Sequence, residues 1–229
     1  LGSSAKAILP EAEIQALERQ RAQSGVSLPK PSKGQRIVLL GNGLGERMLQ
    51  YGYFETELQH RFPGEELVIR NMCHPAYTPS FRPHPSRKSQ WAFPGAESLR
   101  PEFKIHSGVG HFPKPDEWLT TLKADTIIAF FGFNESFDGP GGIEKYKAEL
   151  KAFVEHTLAQ KYNGMSAPTL VLVSPIAFQD LSAKHDLPDG VEENANLALY
   201  SGAMKEIATD YQLSFIDLFS ATTSWFSEG

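Results

Sequence analysis

Five short apolar runs separated by segments of helical spacing constrain this chain more than any other feature. The runs are RIVLLG (Arg36 to Gly41), ELVIRN (Glu66 to Asn71), DTIIAFFG (Asp125 to Gly132), TLVLVSP (Thr169 to Pro175) and SFIDLF (Ser214 to Phe219). Their apolar residues are nearly continuous rather than alternating, the pattern of strands covered on both faces. Between them, Glu46 to His60, Ile143 to Lys161 and Glu192 to Tyr211 carry helical spacing. In the second of these, Ile143, Tyr146, Leu150, Phe153, Val154 and Leu158 fall on one stripe. Strand, helix, strand at this spacing predicts an α/β fold: a three-layer α/β/α sandwich with a five-stranded parallel sheet and right-handed crossovers.

Size and charge narrow the rest. With 229 residues, 41% of them apolar, the chain can bury one substantial core and is short for two. PEAEIQALERQRA (Pro10 to Ala22) reads as a short helix followed by a polar loop, so residues 1–34 form an arm and linker and residues 35–229 the domain. A formal net charge of -5 supplies no basic field, so neither nucleic acid nor an anionic membrane surface is an expected partner. The single Cys73 excludes an internal disulfide framework, and no CxxC pattern exists to hold zinc or haem. No cofactor is expected. The chain opens on LGSSAKAILP with no Met, which suits a processed precursor or an excised domain.

The irregular part runs from Met72 to Lys114. It is rich in Pro and carries His74, His84, His106 and His111, but no pair has the spacing of a zinc site and no carboxylate cluster joins them. A stretch this long without structure of its own is functional or mobile in most folds. It leaves the second strand and holds Tyr77, Phe81, Trp91 and Phe93, so the expectation is a lid over the ligand crevice whose deletion alters binding more than stability.

In a doubly wound sheet of flavodoxin-like order, ligands bind beyond the carboxyl ends of the first and third strands, where strand order reverses. The loops leaving those strands are GNGLG (Gly41 to Gly45) and GFNESF (Gly132 to Phe137). Each places an Asn within two positions of a Gly, so Asn42 and Asn134 are expected to face one crevice. An Asn amide there can donate to a developing oxyanion, or the residue can simply cap its turn or helix. A dinucleotide fingerprint fits poorly: the third Gly comes one position early, Glu46 occupies its place, and the second strand ends in Arg70 and Asn71 rather than an acid. A phosphate-binding P-loop lacks its Lys-Ser or Lys-Thr.

These blocks resemble the SGNH/GDSL hydrolase superfamily over roughly Gln35 to Phe219. GNGL lies over the family's G-D-S-L nucleophile turn, RNMCHPA (Arg70 to Ala76) over the oxyanion-hole Gly block, and GFNE (Gly132 to Glu135) over G-x-N-D. GNGLGERM, GFNESF and AQKYNG (Ala159 to Gly164) are also similar to SGNH-type modules of large multidomain proteins from planctomycete-like bacteria. The resemblance implies an esterase acting on a small-molecule or carbohydrate ester, an extracytoplasmic setting, and other domains of a larger polypeptide as partners.

The departures bear on activity. Gly43 stands where the family has its serine and offers no Oγ to attack a carbonyl. Met72, Cys73 or Ala76 stands at the second-block Gly. After SFIDLF the chain runs SATTSWFSEG, with no D-x-x-H and no final helix expected, so C-terminal truncation is part of the reading. Ser136 with Glu135 could in principle substitute as nucleophile and base, although adjacent side chains diverge and Ser136 fits better as a cap of the following turn. Cys73 with His74 meets the same objection, and His185, Asp186 and Asp189 read as a solvated loop. Two functions follow: an ester hydrolase of impaired or lost activity, and a non-catalytic module that binds a sugar, acyl group or protein in the inherited crevice.

Overall fold

The computed structural model describes residues 30–103, 105 and 108–227, so the helix expected over Pro10 to Ala22 lies outside the described residues. The elements run β1 (Arg36–Gly41), α1 (Gly43–Tyr51), α2 (Tyr53–Arg61), β2 (Val68–Asn71), α3 (Pro115–Leu122), β3 (Thr126–Phe130), α4 (Ile143–Leu158), β4 (Thr169–Val173), α5 (Val191–Asp210), β5 (Ser214–Ile216) and α6 (Leu218–Ser227). The sheet is parallel throughout, in the order β2-β1-β3-β4-β5. All five expected strands are present, trimmed by a few residues at their ends.

Alternation along the central strands sorts side chains onto two apolar faces. Val38, Leu40, Ile127, Ala129, Leu170 and Leu172 point into one core with Leu119 of α3, Leu150 and Phe153 of α4, and Met204 and Ile207 of α5. Leu39, Phe130, Val171 and Val173 point the other way, against Leu44 and Met48 of α1, Phe54 of α2 and Leu218 of α6. Because both faces are covered, the strands read as unbroken apolar runs.

Two helical boundaries differ from expectation. Glu46 to His60 is not one helix but α1 and α2, broken at Gly52, whose φ of 56° stops the first helix and whose N–H closes on Met48 O. The chain also has a final helix, α6, contrary to the sequence reading. Asp217 starts it by accepting from Ser220 N and Ser220 Oγ at 2.9 and 2.8 Å. Propensity alone did not show this, because Thr222 and Thr223 satisfy their hydroxyls on carbonyls one turn back.

The segment between β2 and α3 is not a structureless loop. It has structure of its own, a Phe81 to Trp91 antiparallel bridge and a 3-10 turn at Ala96–Leu99, and it sends Ala92, Phe93 and Ala96 into the main core. Its three buried arginines hold it there. Arg82 lies beneath the surface with its guanidinium over the Phe153 and Phe131 rings, and burial pulls its pKa down to about 10, still charged at neutral pH. Arg87 donates to Pro113 O and Arg82 O, tying the last residues of the segment back to its middle. Arg100 reaches α4, where Glu149 is fully buried: Nη2 donates to Oε2 at 3.0 Å, and Nε approaches Oε1 at 2.6 Å as an ion-pair contact outside hydrogen-bond geometry. Ser80 Oγ donates to the same Oε2 at 2.7 Å.

Breaking this pair on one side leaves an uncompensated buried charge, which costs about 3–5 kcal/mol. Arg100→Met should therefore lower urea-unfolding stability by about that amount in a single cooperative transition, and Arg100→Met with Glu149→Leu should recover much of it. A separate early transition of the segment in Arg100→Met would show that it is not part of the core.

Candidate functional site at the carboxyl end of the sheet

The three glycines of GNGLG have separate physical reasons. β1 and β3 run in register at Gly41 and Phe130, and a Cβ on Gly41 would sit 2.1 Å from Phe130 O, at a φ of 136° that side chains rarely adopt. A Cβ on Gly45 would meet Cys73 Sγ at 2.3 Å and the Phe130 ring at 3.0 Å, so α1 can lie against β2 and β3 only without a side chain there. Gly43 is different. Its nearest neighbour would be Pro75 Cα at 3.9 Å, so the position has room for a side chain and carries none.

Asn42 is the cap of α1. Its Oδ1 accepts from Leu44 N at 3.3 Å, its own N–H donates to Phe130 O at 2.9 Å, and it is buried. The cap engages only Oδ1 of the amide. Asn134 sits at the same end of the sheet, on the loop leaving β3, and both hydrogens of its amide are engaged: Nδ2 donates to Pro75 O at 2.8 Å and to Tyr77 O at 2.9 Å. Two of the three second-block candidates, Met72 and Cys73, have their backbone N–H groups engaged. Met72 N bonds Leu39 O, His74 N bonds Gly41 O, and Cys73 N bonds Asn71 Oδ1, while Asn71 Nδ2 donates to Gly45 O.

Ser136 and Glu135 serve their own turn. Ser136 Oγ donates to Phe133 O at 2.7 Å and the residue is buried. Glu135 is 5% exposed, with Oε2 accepting from Gly132 N at 2.8 Å and Oε1 buried without a partner. Burial is the main cause that raises its pKa to about 7; the turn's N–H groups oppose it and Glu149 adds to it. The carboxyl and hydroxyl do not form a dyad. Cys73 is buried against Gly45, and burial drives its thiol far above the usual range, so it is no nucleophile. His185, Asp186 and Asp189 lie on an exposed loop, and Asp189 accepts from Val191 N. Among the described residues no three His, Cys, Asp or Glu side chains gather as a metal site would require.

An exposed aromatic pair borders this end of the sheet. Phe133 and Phe137, 40% and 72% exposed, meet edge-to-face with centroids 5.4 Å apart on the β3 loop, and Ile176 is exposed on the β4 loop. Sequence reasoning missed these, and it missed the Arg100, Glu149 and Ser80 cluster. One signal was present: Glu149 falls between Tyr146 and Leu150 on the apolar stripe of α4, and a carboxylate there needs a cation.

No protein-family model and no curated protein sequence matches the chain. Solved structures do. The acetylxylan esterase Axe2 from Geobacillus stearothermophilus superposes with a TM-score of 0.55 at 14% identity, over 87% of this chain and 83% of that one. A protein assigned as a GDSL-like lipase from Parabacteroides merdae gives 0.53 at 16%, over 84% and 82%. A gut microbial diltiazem-metabolizing enzyme gives 0.54 at 13%, over 84% of this chain and 39% of its own. The fold is SGNH/GDSL hydrolase-like, as the motif blocks implied.

Two measurements check this account of the loops. Gly45→Ala should cost about 1–3 kcal/mol of stability through overpacking against Cys73, while Gly43→Ala should stay within about 0.5 kcal/mol of the parent. Glu135 retains its proton in the folded state at pH values where the unfolded chain has lost it. Its contribution is therefore fully present below the usual carboxylate pKa and declines as pH rises through about 7. Glu135→Gln should flatten that decline, on the order of 3 kcal/mol at most, in urea melts taken from pH 4 to 8. An unchanged slope would mean that the carboxyl is not buried in solution.

Proposed function

We propose that this SGNH/GDSL hydrolase-like domain is catalytically silent toward esters and uses the crevice at the switch point to bind a neutral ligand, a sugar or acyl group carried by an ester-bearing molecule. One observation carries the reading: the Asn134 amide, on which the family resemblance would place an oxyanion donor, spends both hydrogens on Pro75 O and Tyr77 O. An oxyanion hole acts only if its donors are free and aimed at the developing charge. The empty side-chain position at Gly43 supports the same reading, since it supplies room and no nucleophile. Phe133 and Phe137 offer the apolar surface that a sugar face or acyl chain would meet.

The competing reading, an esterase running on Ser136, requires that hydroxyl to leave Phe133 O and find a base other than Glu135, which faces Gly132 N. The fold of Axe2 and of the other neighbours favours an esterase label, but fold does not fix chemistry.

Purified chain mixed with a short-chain nitrophenyl ester should show no turnover above background, and Gly43→Ser alone should restore little, because an unactivated hydroxyl is a weak nucleophile near neutral pH. Robust turnover abolished by Ser136→Ala would overturn the proposal and make Ser136 the nucleophile.

A further inference from the structure

A groove of about 380 Å³ opens where the segment after β2 meets the start of α3, and it shares no residue with the crevice. Trp91, Phe93 and Pro94 form its apolar wall, and Glu97, Lys114 and Asp116 its polar rim. The volume lies in the range of small-molecule sites, which pair apolar surface with a few placed polar groups.

The polar side of the groove is held in place before any ligand arrives. Asp116 takes His156 Nε2 on one oxygen at 2.9 Å and Tyr162 Oη on the other at 2.7 Å. Burial pushes its pKa up, but these two bonds together with the charges of His156 and Arg82 outweigh burial and hold it below the usual carboxylate range. His156 in turn stacks on Phe93, with centroids 4.9 Å apart and planes 18° from parallel, so wall and carboxylate form one rigid unit. Trp91 is only part-buried and is braced edge-on by Phe81 at 5.4 Å. Glu97 and Lys114 are both exposed. Preorganised acceptors beside a fixed aromatic surface bind with little ordering cost.

The Asp116 and Glu97 carboxylates are balanced by Lys114 at the rim and by the buried Arg82 whose charge acts on Asp116, which suits a neutral ligand, and the exposed groups ask for several hydrogen-bond donors and one acceptor. The aromatic wall asks for a face of polarised C–H groups, which complements the negative face of a π system. A pyranose ring meets both demands, with hydroxyls around its edge and C–H groups on its face. We propose that this groove is a carbohydrate subsite, separate from the crevice, that takes a neutral pyranose unit against Trp91 with its hydroxyls on Asp116, Glu97 and Lys114.

The test is calorimetric titration of the full chain with xylohexaose, cellohexaose and chitohexaose, with tryptophan fluorescence followed in parallel. At least one of the three should bind saturably and shift the emission. Trp91→Leu should weaken that binding about tenfold, as loss of a central aromatic anchor does, and Glu97→Gln about threefold, with far-UV circular dichroism unchanged. Should Trp91→Leu fail to fold, Glu97→Gln on its exposed 3-10 turn carries the test. Absence of saturable binding for all three sugars, binding that survives both substitutions, or tighter binding of a proline-rich decapeptide than of any sugar would each overturn the proposal.

Discussion

The buried ion pair between Arg100 and Glu149 is the interaction on which the rest of this structure depends. Removing two charges from water costs several kcal/mol for each, and their attraction offsets this only when geometry is good and the remaining polar atoms find partners. Ser80 supplies one such partner, so the carboxylate of a core helix and the guanidinium of an irregular segment become a single internal fixture. It acts together with Arg82, Arg87 and the backbone bonds that follow β2. The segment between β2 and α3 becomes a structural layer, its Pro75 and Tyr77 carbonyls come to rest on the Asn134 amide, and its aromatic side chains line a groove against α3.

The sheet was legible because its physics is local. A strand covered on both faces is apolar along its buried length, and Ile37 to Leu40 or Leu170 to Val173 can be read as such without knowing any neighbour. The strand order and the SGNH/GDSL-like assignment were within reach of the same runs plus the glycine turns. What failed had its cause elsewhere in the chain. Gly52 breaks a helix through one backbone angle, and α6 is started by an Asp side chain and anchored by Thr222 Oγ1 accepting from Ala177 N, 45 residues away. The segment after β2 looked like a loop because its Pro content hides the arginines that bury it.

The candidate site shows the same division. That Asn42 and Asn134 leave adjacent strands at one end of the sheet could be inferred from spacing. What their amides do could not, because a side chain that donates to an oxyanion and one that donates to a neighbouring carbonyl are identical in sequence. The three glycines of GNGLG also look alike on paper, yet two are excluded from change by Phe130 and Cys73 and the third is free. The absence of a side chain therefore means close packing at Gly41 and Gly45, and vacancy only at Gly43.

The ion pair also sets an order of events during synthesis. Ser80 and Arg100 are separated from Glu149 by 69 and 49 residues, so the segment leaves the ribosome well before its counter-charge exists. Until α4 emerges, a solvated Arg100 has no reason to turn inward, and the apolar residues beside it cannot be sealed. Loop closure over such distances must precede the contacts that reward it, which slows folding. Chain order thus sets a lower bound: the layer that the crevice loop and the groove both lean on cannot become dry before α4 has emerged.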